Sequence, residues 1–204
     1  MTLCFIPIIH CNSFKDTSFD PSDCTGDWVD LHCWSNGVPT YGDRVYLDSC
    51  PVSTIDLPTP MSLSFLQIGS EDCAFHLQLS SVDLHVQDLH FVSGSIAGAG
   101  TLSCTGDSVF SSTTVKVIQI PLHNSGSLTF SHSSSSSLLL QLHGQGSITN
   151  TGSISIVSST IISLSDYHLS PSPETSLFFN YGLLLVDDNA DLVISIPFQM
   201  MVQF

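Results

Sequence analysis

The chain has 204 residues, of which 42% are hydrophobic, and 18 acidic residues against three basic ones give it a formal net charge of -15. This length and hydrophobic share are enough for one folded domain with a sizeable core. The charge excludes nucleic-acid binding, because three basic side chains cannot neutralise a run of phosphates, and it favours small cations over anionic membrane surfaces.

The residue types favour strands over helices. All acidic residues except Glu71 and Glu174 are Asp, and Ser, Thr and Gly are abundant, whereas Lys, Arg and Glu are scarce. The abundant types prefer turns and strands, and the scarce ones normally fill exposed helical faces. We therefore expect an all-β fold.

Residues 1–42 are irregular and rich in cysteine and tryptophan, which predicts an N-terminal cap. Trp28 and Trp34 are expected to cover the apolar side chains that a first coil would otherwise expose to water. The apolar stretch over residues 3–9 is too short to cross a membrane, and no membrane span is predicted.

The cysteines predict disulfides in the first half of the chain. All seven lie before residue 105, and no Cys-x-x-Cys spacing favours a zinc site instead. Disulfides indicate an oxidising compartment, so we expect a secreted, extracellular protein. The odd number leaves one cysteine free or bonded between subunits. The candidates are Cys4, Cys11, Cys24, Cys33, Cys50, Cys73 and Cys104.

Residues 43–176 carry short alternating strands separated by turns, which predicts β-solenoid (β-helix) coils. A glycine followed by Ser or Thr and an aliphatic residue recurs, as in Gly94-Ser95-Ile96 and Gly152-Ser153-Ile154. Gly126 and Gly146, like His123 and His143, are about 20 residues apart, which suggests a coil of roughly that length. An antiparallel β-sandwich is the alternative, since it gives a similar strand spacing.

One phrase resembles a known group of proteins. Trp34-Ser35-Asn36-Gly37-Val38-Pro39-Thr40, with Asp43-x-Val45-x-Leu47 after it, resembles the phrase that precedes the first coils of secreted, adhesin-like β-helix proteins. The Gly-Ser-Ile phrase is similar to the repeats of autotransporter passengers and filamentous-haemagglutinin-like proteins. The resemblance implies a secreted, right-handed β-helix used for attachment or as an extracellular structural element, and it carries no catalytic residue.

Residues 177–204 are predicted to form a terminal β-hairpin around an acidic turn, followed by a strongly apolar strand. Such a strand aggregates unless its own domain or a neighbouring subunit covers it. It is therefore a candidate assembly strand. Its apolar members are Leu192, Ile194, Ile196, Phe198, Met200, Val202 and Phe204.

Two groups of residues are the candidates for a metal site. Asp187, Asn189 and Asp191 resemble half of a calcium loop, but its glycine and bidentate glutamate are missing. Asp83, His85 and Gln87 share one strand face, which a solvated surface explains as well as a metal site does. No cofactor and no catalytic residue is predicted, and the chain is not expected to be an enzyme, because its acidic residues are dispersed.

The leading functional hypothesis is an extracellular structural protein that polymerises with itself into a filament or surface coat. Head-to-tail contacts and β-strand addition would join the copies. The alternative is a monomeric adhesin or carbohydrate-binding module that stacks sugars on its tyrosines, which are Tyr41, Tyr46, Tyr167 and Tyr181.

Overall fold

A computed structural model of the chain describes residues 15–20, 24–49, 54–112, 114–131, 137–157, 161–166, 177–188, 191–194 and 198–200. These residues form β-strands and one short 3-10 helix, Leu31–Cys33. The first strands are β1 (Asp16–Ser18), β2 (Arg44–Leu47), β3 (Thr54–Leu57), β4 (Met61–Ile68), β5 (Phe75–Leu79), β6 (Leu84–Phe91), β7 (Gly94–Gly98), β8 (Leu102–Cys104), β9 (Asp107–Phe110) and β10 (Lys116–Ile118). The later strands are β11 (Pro121–Asn124), β12 (Ser127–Ser131), β13 (Ser137–Leu142), β14 (Ser147–Asn150), β15 (Ser153–Val157), β16 (Ile161–Asp166), β17 (Leu177–Asn180), β18 (Leu183–Val186), β19 (Asp191–Ile194) and β20 (Phe198–Met200).

The strands form two sheets that wind around one core. The 13-stranded sheet has the order β18-β15-β12-β9-β6-β8-β11-β14-β17-β20. Strand β6 also pairs with β4, β4 pairs with β2, and β2 pairs with β1. The seven-stranded sheet has the order β19-β16-β13-β10-β7-β5-β3. Every pairing between these strands is parallel. The β-solenoid is therefore confirmed, and the antiparallel sandwich is wrong.

The coils change shape after β6. Strand β6 pairs with β8 through Leu84–Val86 and with β9 through Leu89–Phe91, because a corner at Gly106 divides the next coil into two strands. The corner recurs directly above at Gly126, Gly152 and Gly182. A Cβ on Gly152 would overlap the carbonyl oxygen of Gly126, so glycine is required for the corners to stack.

The predicted coil length of about 20 residues is wrong beyond the corner at Gly126. In the stack of corners Gly126 meets Gly152 rather than Gly146, and the strand partner of His123 is Thr149 rather than His143. The interval between equivalent residues rises to 26 between Asn124 and Asn150, because added residues lengthen the turns while the corners stay in register. The 20-residue spacing of Gly126 and Gly146 is therefore a coincidence, whereas the preceding coil does have that length, since Leu102 pairs with Leu122.

Inward-facing side chains stack in columns along the solenoid. One column consists of Leu47, Ile68, Phe91, Phe110, Phe130, Ile156 and Val186. Its three phenylalanine rings pack edge to face, with centroids 5.4 and 5.3 Å apart. All members are buried except Val186, which is 44% exposed. Among the described residues, the column is thus buried from β2 to β15 and exposed at β18.

The cap closes the other end of the core. Trp28 and Trp34 are buried with their rings 4.9 Å apart, and the Trp34 Nε1–H donates to the Trp28 carbonyl over 2.7 Å. Phe19 packs edge to face on Phe75 of β5. The backbone N–H of Trp28 donates to the backbone carbonyl of Asp56 in the outermost strand β3. The tryptophans therefore lie over the first coils, the position that the sequence indicated for a cap.

The terminal hairpin expected within residues 177–204 is wrong for the described strands. Strand β18 pairs with β15 in one sheet and β19 pairs with β16 in the other, both in parallel. The two strands on either side of the acidic segment therefore belong to different sheets, and the solenoid continues past residue 176. No helix in the described ranges is long and apolar enough to cross a membrane.

Candidate functional sites

A cleft of about 330 Å³ opens on the outer surface of the 13-stranded sheet, beside the cap. Strands β4 and β6, the loop before β2 and the corner after β8 bring its residues together from distant parts of the sequence. They are Tyr41, Gly42, Ser62, Leu63, Ser64, His85, Val86, Gln87 and Thr105. Its volume lies near the lower end of the range of small-ligand pockets, roughly 300 to 1,000 Å³.

The cleft combines one exposed ring with uncharged polar groups. The Tyr41 side chain is 77% exposed. Within the described residues, the side chains of Ser62, His85, Gln87 and Thr105 make no hydrogen bond to protein and are free to bind a ligand. The nine lining residues include no carboxylate, Lys or Arg. The cleft is therefore neutral in a strongly acidic protein.

Asp43 fixes the loop that carries Tyr41. Its buried carboxylate accepts hydrogen bonds from the Thr40 N–H (2.8 Å), the Thr40 hydroxyl (2.9 Å) and the Lys15 N–H (3.1 Å). Burial alone would raise the pKa of Asp43, but these bonds and the Lys15 ammonium together lower it. The Gly42 N–H donates to the Ser62 carbonyl of β4 over 2.8 Å. The position of Tyr41 is therefore held from both sides.

The same geometry explains the phrase around Trp34. The Lys15 ammonium donates to the carbonyl oxygens of Asn36, Gly37 and Val38. These three hydrogen bonds fix the conformation of the loop after Trp34. Gly37 has a φ of +81°, a left-handed conformation that favours glycine. Within the phrase, the carbonyl oxygens of Asn36, Gly37 and Val38 and the bonds from Thr40 to Asp43 thus hold the cap loop together.

The coil that contains β17 and β18 differs on its outer face from the coil before it. The outward positions of β14 and β15 hold Ser147, Thr149, Ser153 and Ser155, and their partners one coil later are Leu177, Phe179, Leu183 and Leu185. Leu183 and Leu185 are 54% and 50% exposed. Four hydroxyl side chains are thus replaced by four large apolar ones in the coil where the column is also exposed.

Exposed apolar side chains concentrate at the two ends of the solenoid. Of the large hydrophobic residues that are exposed in the described ranges, three belong to the cap, three to β18 and one to the middle coils. The cap residues are Val29, Leu31 and Tyr41, the β18 residues are Leu183, Leu185 and Val186, and the residue of the middle coils is Val115. We call Val29 and Leu31 the cap patch, and Leu183, Leu185 and Val186 the tail patch.

The predicted assembly strand is divided between two strands of the solenoid. Leu192 and Ile194 belong to β19, and Phe198 and Met200 belong to β20. Ile196, Val202 and Phe204 lie outside the described residues. Strands β18, β19 and β20 each pair with a single described strand, so each leaves one edge of its backbone without a described partner.

The cysteines divide into bonded and free. Cys24 and Cys33 form a disulfide within the cap, and Cys73 is also disulfide-bonded. Cys104 is free and buried, and burial raises the pKa of its thiol to about 12. It is therefore inaccessible to a neighbouring subunit. The remaining candidates, Cys4, Cys11 and Cys50, lie outside the described residues.

The predicted metal candidates lie only partly within the described residues. Asp187 is exposed, Asn189 lies outside the described residues, and Asp191 begins β19 on the other sheet. The Asp83 carboxylate accepts from the Thr101 N–H over 3.2 Å, while His85 and Gln87 line the cleft. Among described residues, no group of three His, Cys, Asp or Glu side chains could hold a metal ion.

The predicted sugar-stacking tyrosines are not equivalent. Tyr41 lines the cleft, whereas Tyr46 packs on Phe65 with ring centroids 5.3 Å apart and Tyr181 stacks on Phe179. Tyr167 lies outside the described residues. Only Tyr41 among the three described tyrosines combines a largely exposed ring with a cleft.

A buried asparagine ladder is the structural feature that the sequence analysis missed. The Asn124 amide donates to the Asn150 side-chain oxygen over 2.7 Å, and the Asn150 amide donates to Asn180 over 2.6 Å. Each amide also donates to the carbonyl of the corner glycine two residues later. The recurring Asn-x-Gly triplet was the available signal, but its unequal spacing concealed it.

No protein-family model, curated protein or solved structure matches this chain.

Proposed function

We propose that the protein is an extracellular structural protein whose copies assemble head to tail into a filament or surface coat. The supporting observation is the placement of exposed apolar side chains in a cap patch and a tail patch at opposite ends of the solenoid. Clustered exposed apolar groups on a protein commonly mark association surfaces. Two different patches at opposite ends join copies in an open series rather than a closed pair.

Two further features support this proposal. The edges of β18, β19 and β20 have backbone groups that a strand from another copy could pair with. The Cys24–Cys33 disulfide supports an oxidising, extracellular location. The cap patch lies beyond β3, since the Asp27–Asp56 bridge places residues 27–29 over the outermost strand of the seven-stranded sheet.

A complementation experiment tests the head-to-tail arrangement. Leu31→Asp disables the cap patch and Leu185→Asp disables the tail patch, and both side chains are at least half exposed, so the fold should tolerate the changes. Each variant alone should remain monomeric by electron microscopy and light scattering. An equal mixture should give dimers, because the intact tail of one variant meets the intact cap of the other.

The same experiment separates the alternatives. Val115→Asp changes an exposed apolar residue between the two ends and should leave assembly unchanged. Dimers of Leu31→Asp alone would indicate tail-to-tail pairing, and a wild-type protein that stays monomeric at high concentration would contradict self-assembly altogether.

A further inference from the structure

We propose that the cleft beside Tyr41 binds a neutral carbohydrate chain. This binding site is separate from the two end patches and does not depend on self-assembly. The cleft lies on the outer face of β4 and β6, with an exposed aromatic ring at one side and a set of polar side chains along the sheet.

The polar groups match the chemistry of sugar hydroxyls. Ser62 pairs in register with His85, and His85 with Ser103, so polar groups follow one another across the strands at the sheet spacing. Ser, Thr and Gln side chains and a neutral His each both donate and accept hydrogen bonds. A sugar hydroxyl also both donates and accepts, so a ligand rich in hydroxyls can form hydrogen bonds with these side chains as donor or as acceptor.

The ring supplies the second element of recognition. Tyr41 is 77% exposed, yet its loop is fixed by the buried Asp43 carboxylate and by the Gly42 bond to β4. Because the backbone of the loop is already fixed, only the side-chain torsions of Tyr41 have to be ordered when a ligand stacks on its ring. The apolar C–H face of a sugar is suited to that ring, while its hydroxyls face the sheet.

Charge excludes the main competing ligands. The lining has no cationic side chain to bind a uronate, sulfate or phosphate, and the net charge of -15 repels anions. An apolar ligand would gain little, because Leu63 and Val86 are already buried at the cleft floor. Among anionic, apolar and neutral hydroxyl-rich ligands, a neutral glycan is the class that this lining fits best.

The cleft is a binding site rather than a hydrolytic one. Most glycoside hydrolases place two carboxyl groups on either side of the scissile bond. None of the nine lining residues is Asp or Glu. The ligand should therefore be held without being cleaved.

Calorimetry and an array of neutral oligosaccharides test the proposal. The probes are cellohexaose, mannohexaose, maltohexaose, chitohexaose and laminarihexaose, with heparin and polygalacturonate as anionic probes. At least one neutral probe should bind the wild-type protein. Tyr41→Ala should weaken that binding about 10-fold or more, since truncating an aromatic anchor typically has an effect of this size.

Two variants make the result specific. Tyr41→Trp should retain binding, because it keeps a ring at the same place. Leu31→Ala shortens another exposed side chain of the cap outside the cleft and should bind as wild type does. The proposal is overturned if no neutral probe binds, if an anionic probe binds more tightly than all neutral ones, or if Tyr41→Ala binds unchanged.

Discussion

At the scale of single residues, the asparagine ladder ties successive coils together inside the core. Asn124, Asn150 and Asn180 are all buried, so their amides cannot exchange protein partners for water. Asn150 is the central member, because it donates to Asn180 and accepts from Asn124. A buried amide that loses its partner costs the full desolvation of that group. The ladder should therefore contribute more at its centre than at its end.

Replacing Asn150 with leucine should destabilise the protein by about 2 to 4 kcal/mol, because two ladder bonds are lost and the Asn180 oxygen is left buried without its donor. Asn180→Leu removes one ladder bond and should cost less. Urea unfolding of both variants measures the difference. Thr149→Val changes an outward-facing neighbour on the same strand and is the control. Equal losses for the two asparagine variants would contradict a cooperative ladder.

Lys116 is a buried cation at a coil corner. Its ammonium donates to the carbonyl oxygens of Ser112 (3.2 Å) and Thr114 (3.1 Å), and burial lowers its pKa from 10.5 to about 8. Between these two values the unfolded chain holds a proton that the folded protein has released. Folding stability that depends on Lys116 must therefore rise with pH across that window.

Lys116→Met removes this titration, so the variant supplies the reference for measuring it. From about pH 7 to about pH 9.5, the unfolding free energy of the wild type should rise by about 2 kcal/mol relative to that of the variant. Denaturant unfolding at several pH values, with disulfides intact, provides the measurement. A difference that stays constant over this range would show that the buried ammonium keeps its ordinary pKa.

At the scale of elements, the glycine corners decide whether coils can stack. Gly152→Ala should destabilise by about 3 kcal/mol or more, because overlapping backbone in a packed core must move apart. The obstacle is the Gly126 carbonyl oxygen directly below. Gly144 is the control, since a Cβ there meets nothing within 4 Å. Gly144→Ala should cost only about 1 kcal/mol for its left-handed φ. Thermal unfolding that ranks the two variants in the opposite order would contradict the stacked corner.

The sequence correctly predicts that the secondary structure consists of strands, but it predicts only part of how the strands are arranged in coils. Alternation of apolar and polar residues, as in Leu84 to Val86, correctly predicts strands with one buried face. The coil length cannot be obtained the same way, because turns of different length separate the corners and only three-dimensional register reveals that Asn124 and Asn150 are equivalent. The acidic turn before Asp191 predicts a hairpin for a similar reason, since a coil corner and a hairpin turn use the same residue types.

The cleft could not be predicted as a site. Tyr41 was one of four equal candidates, and Ser62, His85 and Thr105 reach it from two further coils and a corner. A site of that kind is defined by which residues are adjacent after the coils stack, and periodicity alone does not encode such adjacency. The polar face of β6 was visible in the sequence, but a ring opposite it was not.

At the scale of the whole molecule, charge and apolar patches act in opposite directions on the assembly that we propose. Each copy carries a net charge of -15, which keeps copies apart, while the cap and tail patches favour contact over a short range. Repulsion between copies extends about 30 Å at an ionic strength of 0.01 M and about 8 Å at 0.15 M. Salt should therefore affect the repulsion far more than the apolar contact.

Raising sodium chloride from about 0.01 M to about 0.15 M should thus strengthen self-association severalfold, because screening removes the long-range repulsion between acidic copies. Sedimentation velocity at a fixed protein concentration measures the shift toward larger species. Leu185→Asp, which disables the tail patch, should remain monomeric at both salt concentrations. That result would show that salt allows the apolar patches to meet by screening the repulsion between copies, and does not cause general aggregation. Association that weakens as salt is added would mean that ion pairs, rather than the apolar ends, hold the copies together.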